Sequence, residues 1–167
     1  IKIFFEKISL SFTKNSAIAG FFFFLVLCSW YILRPVRNEM AVQNSDILPY
    51  LLGVGALVML LLNPIYSWLA SRKNLKSVLI GCYLFFIINL LLFIILWEFF
   101  DLSGAIWLSR IFYVWCNVYS FFVVSIFWVV IINLFRGDGA TNVFGVIAAG
   151  GSIGAFLGSE ISKQLAV

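Results

Sequence analysis

Five apolar stretches, separated by connections of only a few residues, fill almost the whole chain: 15–42, 47–70, 77–97, 104–132 and 142–165. About 20 apolar residues in a helix cross the hydrocarbon core of a bilayer. Helix is the form required, because without water each backbone N–H and C=O must be bonded inside its own segment. The connections Gln43–Asp46, Ser71–Lys76, Glu98–Ser103 and Asn133–Thr141 leave no room for a soluble domain. Composition removes the alternative of a buried core. Of 167 residues, 63% are hydrophobic and 11% charged, whereas ordinary soluble domains are about 25% charged. A soluble fold of this size would still expose roughly a third of its unfolded area. The expected fold is therefore an all-α, polytopic transmembrane helical bundle surrounded by the lipid bilayer.

Residues 1–14 precede these spans. Ile3, Phe4, Phe5, Ile8, Leu10 and Phe12 alternate loosely with Lys2, Glu6 and Lys7, which predicts an amphipathic helix lying in the cytoplasmic interface. No small-residue cleavage site follows the first apolar run, so this is not a signal peptide. Basic residues set the orientation. With the N-terminus inside, Lys2, Lys7, Lys14, Arg72, Lys73, Lys76 and Arg136 are cytoplasmic, and only Arg34, Arg37, Arg110 and Lys163 fall on the outer half. The formal charge of +4 is spread by membrane side rather than gathered in a patch, so no nucleic-acid partner is expected. Cys28, Cys82 and Cys116 lie inside apolar runs with no metal-ligand spacing, and there is no histidine. Free cysteines in such places behave as small hydrophobes. No metal, no cofactor and no enzymatic constellation is expected. The chain begins without methionine and ends at Val167 without a hydrophilic tail, and is read as a piece of a longer polypeptide.

Ionisable groups inside membrane helices are costly and usually face a bundle interior or a cavity. The first span carries Arg34-Pro35-Val36-Arg37. The two arginines, three residues apart, share a helical face, and Pro35 removes a backbone donor and should bend the helix. The fourth span carries Arg110, Tyr113, Asn117 and Ser120 at helical spacing, one polar stripe. Two readings stand side by side for each set. The first-span arginines either snorkel to headgroups or bind an anion. The fourth-span stripe either lines a cavity or serves as interhelical glue. The candidate substrate-binding residues are Arg34, Arg37, Arg110, Tyr113 and Asn117. Asn63-Pro64 and Asn89 read as packing features. In the last span, Gly145, Gly150, Gly154 and Gly158 form a helix-packing set, with the last three in a tandem small-residue ridge that permits close helix contact.

An inside N-terminus, evenly spaced helices and a basic loop after the second resemble the N-terminal half of a major facilitator transporter. At the position of that family's Gly-x-x-x-Asp-Arg-x-Gly-Arg-Lys loop stands Ser67-x-x-x-Ser71-Arg72-x-Asn74-x-Lys76, in which only Arg72 and Lys76 match. Gly145-x8-Gly154-x3-Gly158 is similar in spacing to the family's antiporter glycine motif, departing at Ser159 and at Ser162-Lys163. Trp30-Tyr31-Ile32-Leu33-Arg34-Pro35-Val36-Arg37-Asn38-Glu39-Met40 resembles the end of helix one in the bacterial branch related to ATP/ADP (NTP/NDP) translocases. Arg34 and Arg37 fall on that branch's basic positions, while Asn38 stands where an acid is common. Phe127-Trp128 and Ile147–Ser152 are similar to the same branch.

The resemblance implies five helices of a twelve-helix fold in a bacterial inner membrane, exchanging small anionic metabolites such as nucleotides by alternating access. The remaining helices would lie on the same or another chain. Two other functions stay open: a proton-coupled carrier of neutral or cationic solutes, and a non-transport membrane scaffold using the glycine ridge as its interface.

Overall fold

The computed structural model describes the backbone of residues 2–71, 74–99, 102–135 and 140–165, and the side chains of 14–71, 74–99, 104–135 and 143–165. Arg72, Lys73 and Arg136, expected in cytoplasmic loops, lie outside the described residues. Among the described residues every element is helical: α1 (Lys2–Gln43), α2 (Leu48–Ala70), α3 (Leu75–Phe99), α4 (Leu102–Leu134) and α5 (Ala140–Leu165). Each holds a segment long and apolar enough to cross a membrane: Lys14–Gln43, Leu48–Ala70, Leu75–Phe99, Gly104–Leu134 and Val143–Leu165. The chain is a multi-pass α-helical membrane protein. Residues 2–13 are not set apart by a break; their backbone is the first part of α1. The amphipathic face expected there falls on side chains outside the described residues.

The helices form two compact units. The first joins residues up to Leu33 with Ile131–Val167, so it comprises most of α1, the end of α4, and α5. Its core is Ala19, Phe23, Val26, Ile131, Phe135, Val143 and Ile147. A Cβ on Gly150 would meet the backbone of Gly20, one on Gly154 the backbone of Phe24, and one on Gly158 the backbone of Cys28. Both helices advance by four residues per contact and in the same sense, so α1 and α5 pack parallel along a glycine ridge. In lipid there is no hydrophobic force between helices, and such contacts gain through close packing. Gly145 takes no part: the space around it is open.

The second unit runs from Arg34 to Val130. Its boundary in α1 falls between Leu33 and Arg34, one residue ahead of Pro35, which cannot donate to the carbonyl of Tyr31 one turn back. Successive short turn bonds, from the N–H of Asn44 to the carbonyl of Ala41 (3.3 Å) through that of Ile47 to Asn44 (3.1 Å), reverse the chain into α2. Pro49 sits in the first turn of α2, where its missing N–H costs nothing. Asn74 caps α3, its Oδ1 accepting from the N–H of Ser77 at 3.3 Å. An aromatic cluster joins α3 to α4: Phe86 lies edge-on to Tyr119 and Trp115, Phe93 edge-on to Phe112 and Trp115. Edge-to-face pairs are the arrangement that ring quadrupoles favour. The Tyr83 hydroxyl donates across the same pair to the carbonyl of Val123 at 3.1 Å.

Candidate functional site

The polar residues of the second unit gather along the last turns of α1, the turn to α2, and α4. Arg37 donates from Nη1 to Asn117 Oδ1 at 3.2 Å and from Nη2 to Asn38 Oδ1 at 2.9 Å. Asn117 also faces α2, where a Cβ on the buried Gly55 would stand 3.7 Å from its Nδ2. Nearer the start of α4, Arg110 donates from Nε to Asn44 Oδ1 at 2.9 Å. Asn44, 3% exposed, donates from Nδ2 to the carbonyl of Met40 and to Ser109 Oγ, both at 2.9 Å. Ser109 in turn donates to the carbonyl of Ile106 at 2.7 Å.

The direction of the two guanidiniums separates them. Arg37 lies six residues before the end of its span, and Arg110 six residues after the start of its own. Each is therefore roughly 9 Å along the helix from that end of its span, which is taken as the near membrane face, at 1.5 Å per residue. Helical side chains tilt toward the N-terminus of their own helix. In α1 that tilt leads away from this face, and Arg37 reaches Asn117, near the middle of the Gly104–Leu134 span. In α4 it leads back toward the face, and the Arg110 guanidinium lies 4.8 Å from the ring centre of Trp107, one turn earlier. Snorkelling thus describes Arg110 and not Arg37.

The remaining candidates divide as well. Arg34 is exposed on α1 and makes no bond with Asn117 or Asn44. Tyr113 is buried, 6% exposed, in the core of this unit. Ser120 donates to the carbonyl of Asn117 on its own helix at 2.9 Å, and Asn89 likewise to that of Phe85 at 2.8 Å. Of the expected set, a direct bond joins only Arg37 and Asn117. Asn44 and Ser109 were not foreseen. A polar residue in a four-residue connection ordinarily faces water, and a serine beside an arginine gives no signal of its own.

A groove of about 1610 Å³ lies between α2, α3 and α4. Its walls are mostly Leu, Ile, Val, Phe and Trp, and of the candidate residues it takes in Arg110 alone.

Compared with protein-family models, with curated proteins and with solved structures, the chain finds no match.

Proposed function

We propose that the chain belongs to a secondary active transporter of the major facilitator type, moving a small anionic solute by alternating access, with Arg37 and Asn117 at the solute site. What supports this reading is the mid-membrane guanidinium: Arg37 is drawn down to Asn117 rather than up to the near membrane face. Charge held at that depth is expensive, and such residues mark solute and ion pathways. Arg34, one turn earlier on α1 and exposed, would place a second positive charge farther along the span than Arg37. Substrate would sit near the midplane, between this half and helices not included in this chain. Nucleotide exchange across a bacterial inner membrane, with the N-terminus cytoplasmic, is the sharpest form of the proposal, and it rests on the likeness of Trp30–Met40. The scaffold reading loses its stated interface, because Gly150, Gly154 and Gly158 are packed on α1.

Counterflow in proteoliposomes of the complete transporter tests this. Vesicles preloaded with ADP should accumulate labelled nucleotide, and Arg37→Gln should abolish that uptake while leaving insertion intact. Glutamine removes the charge and keeps an amide donor on a shorter side chain, so an Arg37→Lys variant, which keeps the charge, should retain part of the uptake. Full uptake by Arg37→Gln would reduce the pair to interhelical glue. Background uptake of every nucleotide and of phosphate by the wild type would overturn the anion reading.

A further inference from the structure

The groove between α2, α3 and α4 is as long as the hydrocarbon core is thick. Its α2 wall runs from Ile47 to Leu69, roughly 33 Å at 1.5 Å per residue, against about 30 Å of hydrocarbon. Apolar side chains line its length, and polar groups stand at its ends: Tyr50, Trp107 and Arg110 at one, Ser71, Asn74 and Ser77 at the other. Helices α2 and α4, separated by one crossing, begin at the same membrane face, so Tyr50, Trp107 and Arg110 mark one interface. Tyr50 is 77% and Trp107 64% exposed, as interfacial aromatics are.

Arg110 is the charged group of this groove, and its charge is not neutralised. Nε is committed to Asn44, and the guanidinium carbon lies over Trp107. Among the described residues no carboxylate comes within ion-pair distance of it, and its terminal nitrogens have no hydrogen-bond partner. The bond to Asn44 fixes the fork, leaving its outer N–H pairs to meet a phosphate in the two-pronged geometry that guanidinium offers. The side chain tilts toward the interface, where phosphates of lipids lie, and away from the midplane.

We propose that this groove binds an anionic phospholipid, with the headgroup phosphate on Arg110 beside Trp107 and an acyl chain laid between Val54 and Val58 of α2 and Val114 of α4. This assignment stands apart from the solute site at Arg37 and Asn117 and does not depend on transport. A phosphate requirement and an apolar requirement are combined in one place, which a free anion would not use.

The test is lipid retention by the complete protein, purified in mild detergent, offered equal phosphatidylglycerol and phosphatidylcholine and read by native mass spectrometry. Wild type should retain phosphatidylglycerol about fivefold more than phosphatidylcholine, the size expected for one basic residue at the interface. Arg110→Gln should erase the preference, Arg110→Lys should keep part of it, and Val114→Trp should lower retention of both lipids by filling the groove. Excess glycerol phosphate should not displace the lipid. Unchanged preference in Arg110→Gln, displacement by glycerol phosphate, or no retained lipid in the wild type would each overturn the proposal, the last because other parts of the protein would then cover the groove.

Discussion

The parallel packing of α1 on α5 makes a prediction that contrasts neighbouring glycines. At Gly154, the position of an added Cβ lies 2.9 Å from both Cα and the carbonyl carbon of Phe24, with the carbonyl oxygen of Phe24 nearer still. Carbon atoms prefer about 3.5–4.0 Å, so Gly154→Ala must push the two helices apart along the ridge. Overpacking of this kind costs about 1–3 kcal/mol. Alanine also gains up to about 1 kcal/mol over glycine within a helix, which would mask part of the loss. Gly145→Ala isolates that gain, because Gly145 is in the same helix with open space around it. The difference between the two variants is therefore the packing term, about 1–3 kcal/mol in favour of Gly145→Ala.

The clashing atoms also decide what can rescue each substitution. At Gly154 they are backbone, so trimming the Phe24 side chain does not relieve the collision. At Gly151 a Cβ would strike side chains, the Phe23 ring 2.5 Å from Cδ1 and Cε1 and the flexible end of Leu27 at 2.9 Å from Cδ1, and a smaller residue at 23 relieves the closer collision. A double-mutant cycle should give a favourable coupling for Gly151→Ala with Phe23→Ala and none for Gly154→Ala with Phe24→Ala. The assay is SDS titration of the full-length protein in mixed micelles, followed by tryptophan emission. Gly154→Ala as stable as Gly145→Ala, or coupled to Phe24→Ala, would refute the parallel register of α1 on α5.

Further variants test the second unit in the same titration. Asn117→Ala leaves a half-buried guanidinium short of its 3.2 Å acceptor and should cost about 1–3 kcal/mol. Asn117→Asp should hold stability, by pairing with Arg37, and lose anion uptake. Asn44→Ala removes the acceptor of Arg110 and the donor to Ser109 and Met40, and should cost more than Asn89→Ala, whose bond lies within its own helix. Tyr83→Phe deletes one bond between α3 and α4, with an expected loss of about 0.6 kcal/mol, the mean for such bonds in a membrane.

The spans were legible because length and apolarity are one-dimensional properties, and a bilayer imposes both on each segment separately. The glycine ridge was legible as a close-packing face, since Gly150, Gly154 and Gly158 recur every four residues. Its partner was not, because Gly20-x-x-x-Phe24-x-x-x-Cys28 mixes a small residue with larger ones and works through their backbone. Gly145 fits the spacing of the resembling motif yet faces open space; spacing alone carries no depth. The polar stripe on α4 was legible as a face, but its division was not. Arg110 and Asn117 share that face, and one partner, Asn44, comes from the turn after α1 while the other, Arg37, comes from α1 itself.

The arginine division bears on an anomaly of charge. With the N-terminus inside, as proposed, Arg34, Arg37, Arg110 and Lys163 lie on the side that basic residues avoid. Lys163 stands 3.7 Å from Glu160 on an exposed turn of α5, a pair worth little energy but one that cancels the charge locally. Arg110 turns to the interface, where a lipid phosphate would neutralise it. Arg37 turns the other way, toward an uncharged asparagine at mid-span, and Asn38 accepts its second nitrogen. Both of these acceptors are uncharged amides, so the two bonds orient the guanidinium without themselves adding a counter-charge. A guanidinium oriented by amides suits a transient anion, because an asparagine, unlike a carboxylate, carries no negative charge to compete with it. That asymmetry, with one arginine leaning toward the interface and the other aimed at the midplane, is why Arg37 rather than Arg110 is the place to look for solute.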